Sequence, residues 1–219
     1  MKNINKRHII FTIILTVIYS FTIFSPICNA AARDFPDIKG HWAEMYISRL
    51  VEKGAISGMP DGNFYPDGTV TISQLIRIII SSEFGDIAPT GNHWASGYIQ
   101  KAIELVLIDG YEFSDETVFD LPVDRMQAAK IVTHTLSNIL GEDFESNTSA
   151  VDRFLDYVPG CKACMGEFHS YVGQPYIKGI ISGKPGPVFD GEAYLTRAEA
   201  SVIIMKMLDR QLRIPPVIE

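Results

Sequence analysis

Cys161 and Cys164, in Gly160-Cys161-Lys162-Ala163-Cys164-Met165-Gly166, are the side chains of this 219-residue chain best suited to covalent or metal chemistry. A C-x-x-C pair can close a disulfide loop, remain as thiols, hold zinc or cycle electrons. A structural zinc site wants four ligands; His169 could be a third, but no second C-x-x-C completes the set. A thioredoxin-like role wants a strand-helix-strand pattern around the motif, and none is there. In a secreted chain the simplest reading is a local disulfide staple, with unpaired thiols next. The nearby carboxylates Asp152, Asp156 and Glu167 read as solvated loop residues. Paired carboxylates, a Ser-His-Asp order, H-E-x-x-H and a glycine-rich phosphate loop do not occur in a convincing context. The sequence therefore predicts no catalytic residue, no metal and no cofactor.

Residues 1–32 read as a secretory signal. Lys2, Lys6 and Arg7 form a basic start, an apolar stretch runs from Ile9 to Phe24, and Ala30-Ala31-Ala32 offers a small-residue cleavage site. The stretch is short for a membrane span, and Cys28 lacks the small neighbours that lipid attachment would want. Cleavage would remove three positive charges and take the net charge from −7 to about −10. So acidic a chain is a poor ligand for nucleic acid or anionic membrane. An anionic ligand would have to be held by a few placed cations.

Three stretches behind the signal repeat one another. The first carries His41-Trp42-Ala43, Tyr46-Ile47, Lys53-Gly54-Ala55-Ile56-Ser57-Gly58, Asp61-Gly62 and Val70-Thr71-Ile72-Ser73-Gln74. The second carries His93-Trp94-Ala95, Tyr98-Ile99, Asp109-Gly110 and Val123-Asp124-Arg125-Met126-Gln127. The third keeps Tyr171-Val172, Lys178-Gly179-Ile180-Ile181-Ser182-Gly183, Asp190-Gly191 and Leu195-Thr196-Arg197-Ala198-Glu199. A period of about fifty residues signals supersecondary units that cannot bury an apolar face alone. The boundaries fall at 33–88, 89–146 and 147–213.

Each unit reads as helix, loop, helix. Trp42, Met45, Tyr46, Leu50 and Val51 share one face of a first helix that Gly54 and Gly58 end. Met59-Pro60-Asp61-Gly62 and Tyr65-Pro66-Asp67-Gly68 are turns that send the chain back. Second helices open at Thr71 with Gln74 and at Thr196 with Glu199, both capping boxes; Asp124 with Gln127 is the carboxylate form. Lys53 and Lys178 suit helix C-termini, and His41 and His93 suit helix starts. Arg197 at the first turn of its helix opposes the dipole, which points to a purpose beyond helix stability.

At these residues the chain resembles the S-layer homology family, in the His-Trp-Ala start, the Lys-Gly-x-Ile-Ser-Gly helix end, the Pro-Asp-Gly-x-Phe-x-Pro-Asp-Gly loop and the Leu-Thr-Arg-Ala-Glu start. The resemblance implies an all-α fold of three helix-loop-helix repeats around a pseudo-threefold axis. It also implies a module that binds secondary cell-wall polysaccharide non-covalently, often through a pyruvate-ketal sugar, and holds a secreted protein at the cell surface. By motif position Arg125 and Arg197 would supply a forked cation, Trp42 and Trp94 an apolar plate, and Asp61 with Gly62 a loop of close approach.

Each of these residues also has a structural reading. Trp42 and Trp94 could be core, and Thr196 and Glu199 are caps. The repeats depart from the pattern as well. Ile72 and Gln74 stand where Arg and Glu are wanted, the loop 109–115 is acidic and is expected to compete for Arg125, and Pro175 interrupts a third first helix that lacks the tryptophan. Grooves between repeats would let one unit supply the arginine and another the aromatic. The alternatives are a scaffold that tethers another surface protein and, less well supported, a wall-active enzyme whose site assembles in space.

Overall fold

A computed structural model of the chain describes residues 34–154 and 168–217. The expected signal segment, Cys161 and Cys164 lie outside them. The described residues form six α-helices: α1 (Glu44–Glu52), α2 (Ile72–Phe84), α3 (Ser96–Glu104), α4 (Arg125–Asn138), α5 (Gly173–Ile177) and α6 (Arg197–Leu208). A π-helical turn over Phe168–Val172 leads into α5, where Pro175 sits. No strand occurs among the described residues, and the fold is all-α.

The second helices start where local chemistry tells them to. Thr71 Oγ1 accepts from the Gln74 amide at 3.3 Å while Gln74 Oε1 accepts from the Thr71 amide at 3.3 Å. Asp124 with Gln127, and Thr196 with Glu199, form the same reciprocal pair. The first helices begin with a histidine device: His41 Nδ1 accepts from the Ala43 amide at 3.2 Å, and His93 Nδ1 from the Ala95 amide at 3.1 Å. Gly54 and Gly179 end their helices at φ of +71° and +70°. The second repeat has Val106 at this place, at φ +55°.

A capping box still leaves the first amides of a helix without intrahelical partners. Here another repeat accepts them. The Ile72 and Ser73 amides of α2 donate to the carbonyls of Leu121 and Phe119, those of Arg125 and Met126 to Ala193 and Gly191, and those of Arg197 and Ala198 to Gly68 and Pro66. Just before each helix, Val70 N donates to Leu195 O at 3.0 Å, Leu195 N to Val123 O at 2.9 Å, and Val123 N to Val70 O at 3.1 Å. The three hydrogen bonds close a cycle.

Helix packing follows the same order. α2 lies on α3, α4 on the π-turn and α5, and α6 on α1. Each second helix packs chiefly on the first helix of the next repeat, and the last returns to the first. The core is shared accordingly. Ile47, Leu50, Phe64, Leu75, Ile76, Ile79, Ile99, Leu136, Ile180 and Phe189 are all fully buried.

Candidate polysaccharide-binding groove

Both motif arginines are buried, Arg125 with 4% and Arg197 with 5% of its surface exposed. Arg197 Nε donates to Phe64 O at 2.9 Å and Nη2 to Ser57 O at 3.1 Å, with the guanidinium 4.4 Å from the centre of the Phe64 ring. Arg125 repeats this on another partner: Nε donates to Phe189 O and Nη2 to Ser182 O, both at 2.9 Å, with Phe189 at 5.1 Å. Each arginine of a second helix therefore holds the Ser-Gly end and the phenylalanine of the next repeat. The glycine of that Ser-Gly is required by space, since a Cβ on Gly58 would meet the Phe35 ring at 2.1 Å and one on Gly183 the Phe154 ring at 2.4 Å.

The purpose suspected for Arg197 is in part this tie between repeats. The expected competition of loop 109–115 for Arg125 is not found among the described residues, where the carboxylate it faces is Glu199, with Oε1 3.8 Å from Nη1. The acidic loop instead borders Ile72, which replaces the arginine in the first repeat. There Ile72, Glu112, Phe113, Val118, Leu121, Met126, Gln127, Lys130 and Tyr171 line a recess of about 440 Å³.

The tryptophans stand outside the core. Trp42 is 61% and Trp94 43% exposed, against the core reading that helical spacing allows. Beside each lies the histidine of its motif, with ring centres 5.3 Å apart for His41 and Trp42 and 5.4 Å for His93 and Trp94. The histidines are fixed at both nitrogens, since Nε2 faces Asp67 at 3.4 Å and Asp120 at 3.0 Å respectively. In the third repeat, His169 is engaged by Thr148 at Nδ1 and by Asp152 at Nε2.

Because α1 lies on α6, Trp42 of the first repeat comes beside Arg125 of the second and residues 180–184 of the third. With Glu199, Val202, Ile203 and Lys206 of α6 they line a groove of about 130 Å³. Asp61 and Gly62 are not among its lining residues. Asp61 accepts from the Asn63 amide at 3.1 Å and from the Tyr65 hydroxyl, and these bonds, Tyr65 first, hold its carboxyl below the usual range. Gly62 sits at φ +91° in open space. Two lining residues carry no motif signal, Lys184 and Lys206.

The groove can offer an exposed indole face, a guanidinium, two ammonium groups and one carboxylate, Glu199. Such a set suits a sugar ring with an acidic substituent.

Three segments, residues 34–71, 83–114 and 171–201, match the S-layer homology domain. The chain carries three S-layer homology repeats. It is 27% identical to cell surface glycoprotein 1 of Acetivibrio thermocellus over 71% of its length and 7% of the relative's. It is 33% identical to S-layer protein EA1 of Bacillus anthracis over 40% of its length and 11% of the relative's, and 37% identical to a cellulosome-anchoring protein of A. thermocellus over 41% and 21%. The chain thus spans about a fifth or less of these relatives. The domain matches and these relatives indicate a secreted protein of the cell surface. Among the described residues no helix is long and apolar enough to cross a membrane.

Proposed function

We propose that this chain attaches to the cell wall by binding secondary cell-wall polysaccharide, with a pyruvate-ketal sugar as the preferred unit, in grooves between its repeats. The observation that carries the reading is the exposed Trp42 ring set beside a buried arginine and two lysines, contributed by three different repeats to one groove. An indole held out in water is costly to leave uncovered, and a pyranose ring has the flat C–H face that covers it. Trp42 and Arg125 are the ligand residues of this groove. By repetition Trp94 and Arg197 serve a second, with Asp61 and Gly62 shaping its loop. The cycle of hydrogen bonds through Val70, Val123 and Leu195 supports three repeats arranged about a pseudo-threefold axis.

Cosedimentation of the chain with purified wall sacculi, before and after chemical removal of the secondary polymer, tests this function. The chain is expected to leave the supernatant only with the untreated wall. Equal retention on both would overturn it.

A further inference from the structure

Of the cations that line the Trp42 groove, two are already balanced. Arg125 donates to two carbonyls and faces Glu199, and Lys184 Nζ lies 3.1 Å from the Asp190 carboxylate. Lys206 is different. It is half-buried on α6, and its ammonium makes no hydrogen bond or ion pair to any described residue. Burial pulls its pKa below the ordinary lysine value, and no acid opposes that pull. An ammonium partly removed from water without a counter-charge is unfavourable on its own, and an anion entering the groove relieves it.

We infer that Lys206 sets the anion specificity of this groove, receiving the acidic substituent of the sugar whose ring lies on Trp42. The inference rests on the polysaccharide reading of the groove and adds to it which cation discriminates. Arg125 is spent largely on holding residues 182 and 189, so its removal unsettles the groove as a whole. Loss of Lys206 removes only the preference for charge. The other second helices place Ser81 and His134 ten residues after their caps, where α6 places Lys206, so the preference belongs to this groove.

Two measurements decide it. In calorimetric titration of the full chain with soluble wall polysaccharide, native or with its carboxyls reduced to alcohols, the parent is expected to lose tenfold or more in affinity on reduction. Lys206→Gln should bind both forms at the weaker level, and Lys206→Arg should keep the preference. A Lys206→Gln variant that discriminates like the parent overturns the inference while leaving the polysaccharide reading intact, and so does a parent that binds both forms equally. Separately, NMR of the 13C-dimethylated lysines should show the Lys206 signal, assigned by its loss in Lys206→Gln, titrating at higher pH when a methyl 4,6-O-(1-carboxyethylidene) hexoside is added. The methyl ester of that probe should leave it unmoved. If the signal responds to the acid probe but the chain has no affinity for wall polymer, the inference stands and the polysaccharide reading falls. A signal that ignores the acid probe overturns the inference.

Discussion

The guanidinium of Arg197 lies 4.4 Å from the centre of the Phe64 ring, which belongs to a loop 133 residues earlier in the chain. Arg125 holds the same relation to Phe189. Where the first repeat has Ile72 in place of arginine, that residue lines a recess together with Phe113 and Val118. The arginine and the aromatic under it are one unit of construction, present at two junctions and without its arginine at the third.

Truncation of Arg197 is therefore expected to weaken the fold before it weakens binding. Arg197→Ala leaves the buried Phe64 carbonyl without a donor and releases the part-buried Ser57 carbonyl, and should cost on the order of 1–3 kcal/mol. Chemical denaturation checks this. A variant as stable as the parent would show that the contact contributes nothing to the junction.

Trp42 should behave in the opposite way. With most of its surface in water, Trp42→Ala is expected to change stability by less than about 0.5 kcal/mol. Its affinity for wall polysaccharide should fall tenfold or more, about 1.4 kcal/mol. A large loss of melting temperature with unchanged sedimentation would assign the indole to packing.

Val106 ends α3 in the left-handed region at φ +55°, where the other two repeats have glycine. The Asn138 side chain donates to the carbonyls of Leu105 and Val106 and steadies the turn. A β-branched residue is strained there, so Val106→Gly should stabilise the chain by about 1 kcal/mol even after the added freedom of the unfolded glycine is counted. Thermal unfolding of the variant is the measurement, and a lower midpoint would contradict the argument.

Glu142 is buried among cations. Arg213 binds it twice, at 2.7 and 2.9 Å, with Arg210 at 3.2 Å and Lys178 at 3.5 Å. Burial alone would raise its pKa and is the largest single influence, but the bonds and charges of Arg213, with Arg210 and Lys178, outweigh it and leave the carboxyl below its ordinary value of 4.5. A lowered folded pKa means that the stabilisation is complete above the unfolded value and is lost as pH falls through the folded one. Glu142→Gln should cost on the order of 3 kcal/mol near neutrality. The difference from the parent should shrink progressively below about pH 4.5. Unfolding curves across that range that run parallel would refute the linkage.

How much of this was legible in the chain depends on the distance over which each feature acts. The starts of α2, α4 and α6 depend on residues three apart, so Thr71 with Gln74 and Thr196 with Glu199 announce them. Trp42 shares its helical stripe with Leu50 and could not be told from core by spacing, because its exposure depends on how the other repeats pack beside it. The partners of Arg125 stand 57 and 64 residues away. Its setting was read from the adjacent loop, which in fact faces Ile72. Lys206 has no motif at all and is distinguished only by which helix lies beside it.

The return of α6 onto α1 gives the molecule a mechanical character suited to a tether. Tension applied across the three repeats cannot peel away the last one alone, because its helix is clasped to the first and its Leu195 bridges Val70 and Val123. Load entering at α6 is divided between two junctions at once. A linear string of such units would yield at its weakest joint; a closed one must be unclasped and sheared together.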